Sequence, residues 1–186
     1  AKVHFGLLRV LNDDFIDGGG AFSTHPHDNM EIVTIPFSGA LKHKDSTGGE
    51  GVIKAGDIQI MSAGTGVQHS EANASATEPV TLFQIWVFPK ERNIKPRYDQ
   101  KTFDVSERAN KWQTVVSPIE ADHALWINQD ARFVLTNLDA GKQVTYSNAF
   151  AKNGVFLVVI NGTVDVDGQQ LNKRDALGIS ETENFT

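Results

Sequence analysis

Cysteine is absent from the 186 residues of this chain. Its absence excludes disulfide bonds, thiolate metal ligands and a cysteine nucleophile. An excess of positive charge is also lacking, because 17 lysines and arginines stand against 23 aspartates and glutamates, for a net charge of -6. No direct binding to nucleic acid is therefore expected, since the chain as a whole does not attract phosphate.

Long apolar runs are lacking as well. No stretch of the sequence approaches the roughly 18 apolar residues that a membrane-spanning helix needs. The first residues show no charged segment followed by an apolar one, as a secretion signal would. We therefore expect a cytoplasmic protein with no membrane partner. The 40% of hydrophobic residues, with 11 phenylalanines among them, is enough for a folded core.

Short β-strand patterns separated by glycine-rich turns fill most of the sequence. Apolar or β-branched runs cover residues 31–37, 51–54, 58–61 and 80–88, and no long amphipathic helix pattern interrupts them. Pro36 cannot donate to a β-ladder, so it predicts a strand end or a sheet edge. Many short strands with glycine turns are typical of an all-β sandwich or barrel.

A charged segment separates two β-rich regions. Its mixed positive and negative side chains predict a solvated connector, with one helical turn near Asp104. We assign residues 1–95 to an N-terminal domain, residues 96–110 to the connector, and residues 111–186 to a C-terminal domain.

The C-terminal region repeats the turn pattern of the N-terminal region. Gly39 aligns with Gly162, an offset of 162 − 39 = 123, and Asp57 aligns with Asp175, an offset of 175 − 57 = 118. The two offsets differ because one loop is shorter in the second region. The repeat predicts two domains of one architecture.

Three histidines and a glutamate lie in two short segments and form a candidate metal site. His25 and His27 are two residues apart, as are His69 and Glu71. Residues two apart on a strand point to the same face. If the two strands face each other, three imidazoles and one carboxylate converge, which is a ligand set for Fe, Mn, Cu, Ni or Zn. Glu31 is an even number of residues from His27, so on a continuous strand it would point to the same face, and it is a rival for the carboxylate position.

The remaining histidines and the C-terminal region are predicted to supply no metal ligand. The first offset places Asn148 and Phe150 at the positions of the histidine pair. His43 is predicted to be an exposed strand residue. His4 and His123 have no partner pattern and receive no role.

Two interpretations are open for several other side chains. Phe22, Met30, Phe37 and Trp86 form either an apolar slot for a flat aromatic ligand or part of the core. Asn73 either lines the pocket or forms a turn.

Three segments of the sequence resemble the pirin family of bicupins: residues 25–34, 41–46 and 56–71. The similarity continues through Gln84-Ile85-Trp86 and Pro96-Arg97-Tyr98, and the second half keeps the general bicupin layout. The resemblance implies an all-β fold of two β-barrel domains of the cupin or jelly-roll type. It also implies a further N-terminal segment and a final C-terminal strand, so we expect the second domain to be incomplete.

The resemblance also implies a metal. One Fe(II) is expected in the N-terminal barrel, with Mn, Cu, Ni and Zn as alternatives. The ligand positions of the family fall on His25, His27, His69 and Glu71. Glu31 is then expected to orient one of the histidines.

A flavonol 2,3-dioxygenase activity is the function that the resemblance implies. Some family members act on quercetin, so the expected substrates are a flavonol and O2, with Glu71 as the general base for the flavonol hydroxyl. Other members are regulators, including a nuclear transcription cofactor with redox-sensitive iron. The alternative is therefore a non-catalytic, iron-binding regulatory or redox-sensing protein that acts through a protein partner.

Overall fold

The computed structural model describes all 186 residues, Ala1–Thr186. The chain is built from β-strands, with two short 3-10 turns at Val105–Arg108 and Glu120–Asp122. The all-β prediction is therefore confirmed. None of the helical segments has the length and apolar character that crossing a membrane requires.

The strands of the structure, in chain order, are β1 (Lys2–Phe5), β2 (Leu8–Ile16), β3 (Ala21–His27), β4 (Glu31–Ser38), β5 (Ala40–Asp45), β6 (Glu50–Lys54), β7 (Asp57–Ser62), β8 (Val67–Asn73), β9 (Val80–Val87), β10 (Arg97–Thr102), β11 (Gln113–Val116), β12 (Phe133–Leu135), β13 (Tyr146–Ser147), β14 (Val155–Val158), β15 (Thr163–Val166), β16 (Gln169–Asn172), β17 (Ala176–Ile179) and β18 (Asn184–Phe185).

The chain divides into two compact units. The first comprises residues 1–105 and 114–133, and the second comprises residues 106–113 and 134–186. Strand β10 lies in the segment that was predicted to be the connector and belongs to the first unit. The turn predicted near Asp104 is the 3-10 turn that follows it. The domain boundaries at residues 95 and 111 stay predictions.

Two antiparallel sheets form the first unit. One has six strands in the order β1-β2-β9-β4-β7-β10, and the other has four in the order β3-β8-β5-β6. A buried cluster takes its side chains from both sheets: Ile16, Leu41, Ile53, Val80 and Leu82. The two sheets therefore pack face to face, which is how a sheet buries its apolar face.

Pro36 lies within β4, which is an inner strand of the six-stranded sheet. Strand β4 pairs with β7 only from Glu31 to Thr34, and beyond that point it pairs with β9 alone. The register to β9 is also irregular between Pro36 and Ser38. A residue without an N–H is tolerated here because one side of the strand has no partner.

The second unit contains three nested antiparallel pairs. Strand β13 pairs with β18, β14 with β17, and β15 with β16. Its core consists of Tyr146, Val159, Val166, Leu171 and Phe185. This nesting is the order that a folded-over β-ribbon of the jelly-roll type produces.

The same two turns occur in both units. Gly39 lies between β4 and β5 with φ of 68°, and Gly162 is the last residue of the turn between β14 and β15, with φ of 85°. Asp57 and Asp175 each accept a hydrogen bond from the backbone N–H three residues earlier, at 3.0 Å and 2.8 Å. These turns agree with the internal repeat that the sequence indicates.

Asn73 holds together the loops at one end of the first unit. Its Nδ2 group donates to the backbone carbonyls of Ile16, Asp17 and Glu78 at 3.0, 3.0 and 2.8 Å. Its Oδ1 accepts the N–H of Ser75 at 2.9 Å. Of the two readings of this residue, the turn-forming one matches the observed contacts.

Replacing Asn73 with alanine should lower the free energy of unfolding by about 1–3 kcal/mol, because buried backbone carbonyls lose their donor. Urea denaturation measures this difference. The control is Gln68→Ala, an exposed position on the same strand, which should change stability by no more than about 0.5 kcal/mol. Equal losses of stability in the two variants would contradict this role of Asn73 in holding the loops together.

Candidate metal centre

The pairing of β3 with β8 builds the histidine cluster. His25 lies directly opposite His69, and Phe22 lies directly opposite Glu71. Between these two pairs β3 has three steps and β8 only two, so β3 carries a β-bulge. A bulge re-aims the side chains that follow it. His25 and His27 are therefore directed towards His69 rather than simply alternating along an ideal strand.

The three imidazoles meet through their Nε2 atoms. Nε2 of His69 lies 2.9 Å from Nε2 of His25 and 3.0 Å from Nε2 of His27. Nitrogen ligands held about 2.1 Å from a metal at right angles to each other would be about 2.1 × √2 ≈ 3.0 Å apart. The spacing of these nitrogens thus fits neighbouring positions around an octahedral ion.

The His25 ring is held in the orientation that a metal ligand needs. Its Nδ1 lies 2.8 Å from the backbone carbonyl oxygen of Ser23. A carbonyl oxygen can only accept, so Nδ1 carries the proton and donates it. The lone pair is then on Nε2, the atom that faces the other two imidazoles.

Burial keeps two of the imidazoles neutral. Burial, and then the proximity of His25, lowers the pKa of His27 to about 4, although Asp28 opposes the shift. Burial and the neighbouring imidazoles lower the pKa of His69 to about 3. Metal binding requires the deprotonated ring, so at neutral pH these two side chains are ready to act as ligands.

Glu71 is buried and is held by a short polar chain. Its Oε2 accepts a hydrogen bond from Nε2 of Gln84 at 2.8 Å, and its Oε1 is buried without a partner. Nε1 of Trp86 donates to Oε1 of Gln84 at 3.0 Å and so fixes the orientation of the amide. Burial raises the pKa of Glu71 to about 7, although the Gln84 bond and nearby His25 act in the opposite direction.

The potential ligand atoms form two overlapping groups. His25, His27 and His69 form one, and His43, His69 and Glu71 form the other; within each group the ligand atoms lie within 4.8 Å of one another. The structure thus brings all four predicted ligands to one region, with His69 in both groups. The set of four around a single ion stays a prediction.

The prediction that His43 is exposed was wrong. The residue is only 1% exposed, because β5 alternates inward Leu41, His43 and Asp45 with outward Lys42 and Lys44. That alternation was present in the sequence and would have placed His43 on the inner face. His43 lies directly opposite Glu71 across the β5–β8 pairing.

Glu31 has a structural role in this protein. Its side chain is fully buried, and its Oε2 accepts hydrogen bonds from Oγ of Ser62 at 2.8 Å and from the N–H of Asn128 at 3.1 Å. It belongs to neither ligand group, and its hydrogen-bond partners are not histidines. The contact fastens the segment around Asn128 to strands β4 and β7.

The residues of the predicted apolar slot lie in different surroundings. Trp86 packs edge-on against the His27 ring, with centroids 4.8 Å apart. Met30 and Trp86 also pack against one core cluster. Phe37 packs edge-on against Phe83, and Phe22 is 45% exposed. An aromatic slot beside the histidines stays a prediction, with Trp86 as its best-placed member.

An imidazole and carboxylate site inside a pair of packed antiparallel sheets defines a metal-binding protein of the cupin class. The Pirin family profile matches residues 2–87, and the profile of the quercetinase C-terminal cupin domain matches residues 114–186. The chain belongs to the pirin family, as its residues had indicated.

Relatives of known name extend over nearly the whole chain. Quercetin 2,3-dioxygenase of Escherichia coli K12 is 42% identical over 175 residues, which are 94% of this chain and 74% of that protein. A pirin-like protein of Caulobacter vibrioides is 41% identical over 186 residues, covering 100% of this chain and 79% of the relative.

Solved structures show the same architecture. The crystal structure of YhhW from Escherichia coli has a TM-score of 0.91 at 40% identity, covering 97% of this chain and 76% of that one. The nickel(II) complex of the bacterial pirin YhhW has a TM-score of 0.90 at 39% identity, with the same two coverages. The expected bicupin fold is thereby confirmed.

Glu71→Gln should change how the stability of the chelator-treated, metal-free protein depends on pH. The Glu71 carboxyl has an ordinary pKa of 4.5 and a pKa of about 7 in the fold. The folded state therefore binds the extra proton, and the carboxyl costs stability as pH rises through this interval. The cost reaches about 3 kcal/mol above pH 7.

Urea denaturation of both proteins between pH 4.5 and pH 7.5 measures this effect. Wild type and variant share every other titratable group, so the difference between them reports the Glu71 carboxyl and its coupling to its neighbours. The stability of Glu71→Gln relative to wild type should rise with pH, whereas the exposed Glu50→Gln should show no trend. A pH-independent difference for Glu71→Gln would contradict the raised pKa.

Proposed function

We propose that the chain is a metal-dependent pirin whose N-terminal cupin domain holds one divalent transition metal on His25, His27, His69 and Glu71. The observation that carries the proposal is the meeting of three imidazole Nε2 atoms at separations of 2.9 and 3.0 Å. The nickel(II) complex of YhhW, 39% identical, supports a metal in this fold. Fe(II) is our proposed native metal, on the basis of the family resemblance.

We further propose that the reaction is the 2,3-dioxygenation of a flavonol such as quercetin. The support is the name quercetin 2,3-dioxygenase carried by the 42% identical relative from Escherichia coli. When bound, the metal supplies Lewis-acid and redox chemistry: it lowers the pKa of a coordinated hydroxyl and makes reaction with O2 feasible.

Glu71 is the residue that takes the proton of the flavonol hydroxyl. Burial raises the pKa of this carboxyl to about 7 in the metal-free fold; a bound cation would lower it, so in the loaded site the carboxylate is ionised and able to accept a proton. Gln84 holds one carboxylate oxygen, while the other has no hydrogen-bond partner and is free to accept the proton. Trp86, edge-on to His27, offers an apolar wall for a flat ring.

A second candidate function is a non-catalytic, iron-binding regulatory protein that acts through a protein partner. It rests on the family resemblance, since some pirins are regulators; the relative from Caulobacter vibrioides, 41% identical over the whole chain, is named a pirin-like protein. The metal centre is common to both candidates, so metal binding and turnover need separate tests.

His69→Ala should abolish metal binding. His69 supplies the nitrogen that contacts both other imidazoles, and its loss leaves His25, His27 and Glu71 without the ligand that joins them. After anaerobic reconstitution with Fe(II) and desalting, elemental analysis should find stoichiometric metal in wild type and almost none in the variant. His123→Asn, at an exposed position, should keep the wild-type content. Full metal content in His69→Ala would refute the ligand set.

The Fe(II)-loaded protein should consume quercetin in the presence of O2 and release carbon monoxide. Loss of the flavonol absorbance and gas analysis measure the two events. Glu71→Gln should lower kcat by about 10²–10⁴-fold per bound metal, the usual effect of removing a general base. Absence of turnover in fully loaded wild type would reject this substrate and favour the regulatory candidate.

A further inference from the structure

A buried His43 and Asp45 pair lies beside the proposed ligands and has no part in the function described above. Nε2 of His43 lies 3.0 Å from Oδ2 of Asp45, and the two side chains are 0% and 1% exposed. His43 also packs against His69, with ring centroids 5.2 Å apart. A buried ionisable pair at this depth calls for a physical role.

Asp45 is ionised and fixed in position. Its Oδ1 accepts hydrogen bonds from the N–H and Oγ1 of Thr47, at 2.8 and 2.6 Å, and from the N–H of Gly49 at 3.0 Å. Burial alone would raise its pKa, but the bonds from Thr47, His43 and Gly49 outweigh burial and lower it. A carboxylate can only accept, so Nε2 of His43 carries the proton and its Nδ1 carries a lone pair.

Two ring nitrogens at the contact between the imidazoles are buried without a hydrogen-bond partner: Nδ1 of His43 and Nδ1 of His69. The two rings have centroids 5.2 Å apart. Unpartnered buried polar atoms are rare in native proteins, and two neighbouring ones can share a single buried water.

We propose that His43 is a positioning residue for the metal centre: a bridging water accepts a hydrogen bond from the Nδ1–H of His69 and donates one to Nδ1 of His43, which keeps the Nε2 lone pair of His69 directed at the metal. The inference rests on the proposed metal centre, because it requires metal on Nε2 of His69. Asp45 sets the tautomer of His43, and His43 sets that of His69. Each donor in this series of hydrogen bonds then has an acceptor.

Tyr98 prevents the His43 ring from turning. The two rings stack with centroids 4.6 Å apart and planes at 23°. The Tyr98 hydroxyl donates to Oε1 of Gln100 at 2.6 Å. A side chain at position 51 would collide with this arrangement, since a Cβ on Gly51 would lie 2.5 Å from the Tyr98 hydroxyl oxygen. The glycine on β6 thus leaves room for the tyrosine that holds His43 in place.

The test is ¹⁵N NMR of imidazole N–H groups in the full chain loaded with Zn²⁺, a diamagnetic probe. In wild type, His69 should show a proton on Nδ1 that exchanges slowly with water. His43→Leu should speed that exchange about 10-fold or more and weaken Zn²⁺ binding about 10–100-fold, as loss of a partner behind a ligand does. The Nδ1 proton of His25, bonded to the Ser23 carbonyl, is the internal reference.

Two further variants separate positioning from packing. His43→Asn keeps an acceptor near the former Nδ1 and should restore most of the slow exchange. Leu41→Val is the matched control, since Leu41 is buried on the same face of β5, and it should leave the His69 resonance unchanged. Where His43→Leu fails to fold, Asp45→Asn serves instead. The new amide at position 45 would donate to Nε2 of His43, so the His43 proton would move to Nδ1, and Nδ1 would no longer be an acceptor.

The inference is overturned if His69 carries its proton on Nε2, or if His43→Leu and Asp45→Asn exchange no faster than Leu41→Val. Equal exchange in His43→Leu and His43→Asn also overturns it. Zn²⁺ bound through Nε2 of His69 with no effect of His43 refutes this inference alone. Failure of wild type to bind Zn²⁺ at His69 refutes the proposed metal centre and the inference together.

Discussion

The pairing of β3 with β8 is the constraint on which the candidate site depends. It sets His25 opposite His69, and the bulge beside this pair directs both His25 and His27 at the same nitrogen. His69 is almost fully buried, and burial among imidazoles keeps it neutral. A cluster of neutral nitrogens that cannot all hydrogen-bond to each other is well suited to binding a cation.

Polar contacts around the cluster fix the side chains that the pairing brings in. Trp86 orients Gln84, which holds one oxygen of Glu71, and Asp45 orients His43. Each link determines which atom donates and which accepts, so the protonation states of the inner residues follow from those of the outer ones. The metal ligands are therefore one layer of a larger network.

The second unit repeats the turns of the first without its chemistry. Asp57 and Asp175 make the same hydrogen bond, and Gly39 and Gly162 occupy equivalent turns. Both groups of potential metal ligands nevertheless lie in the first unit. Asn148, at the position equivalent to His25, instead donates to a backbone carbonyl within its own loop. The repeated architecture is thus separable from the metal site.

The two-residue periodicity of strands predicted which side chains share a face, but not which strands face each other across the site. The two-residue spacings of His25 with His27 and of His69 with Glu71 identified residues that the structure does bring together. This periodicity does not specify the register between strands. The bulge on β3 and the placement of Glu71 opposite His43 could therefore not be derived. These depend on pairing between segments that are distant in sequence.

Burial was predictable only where the inward face of a strand was known. On β5 the apolar Leu41 shares a face with His43, and Lys42 and Lys44 share the other. The sequence therefore did contain the pattern that places His43 on the inner face, in the strand that pairs with β8. Glu31 was placed near the histidines by the two-residue periodicity, but its partner Asn128 lies 97 residues away in the chain. No local pattern could have indicated that contact.

The most direct measurement of the central claim is anomalous diffraction at the absorption edge of the metal, from crystals of protein loaded with one transition metal. We predict one strong peak per chain within about 2.0–2.2 Å of Nε2 of His25, His27 and His69, with a carboxylate oxygen of Glu71 as the fourth protein ligand. A peak that His25 and His27 do not coordinate, or one in the second unit, would contradict this prediction.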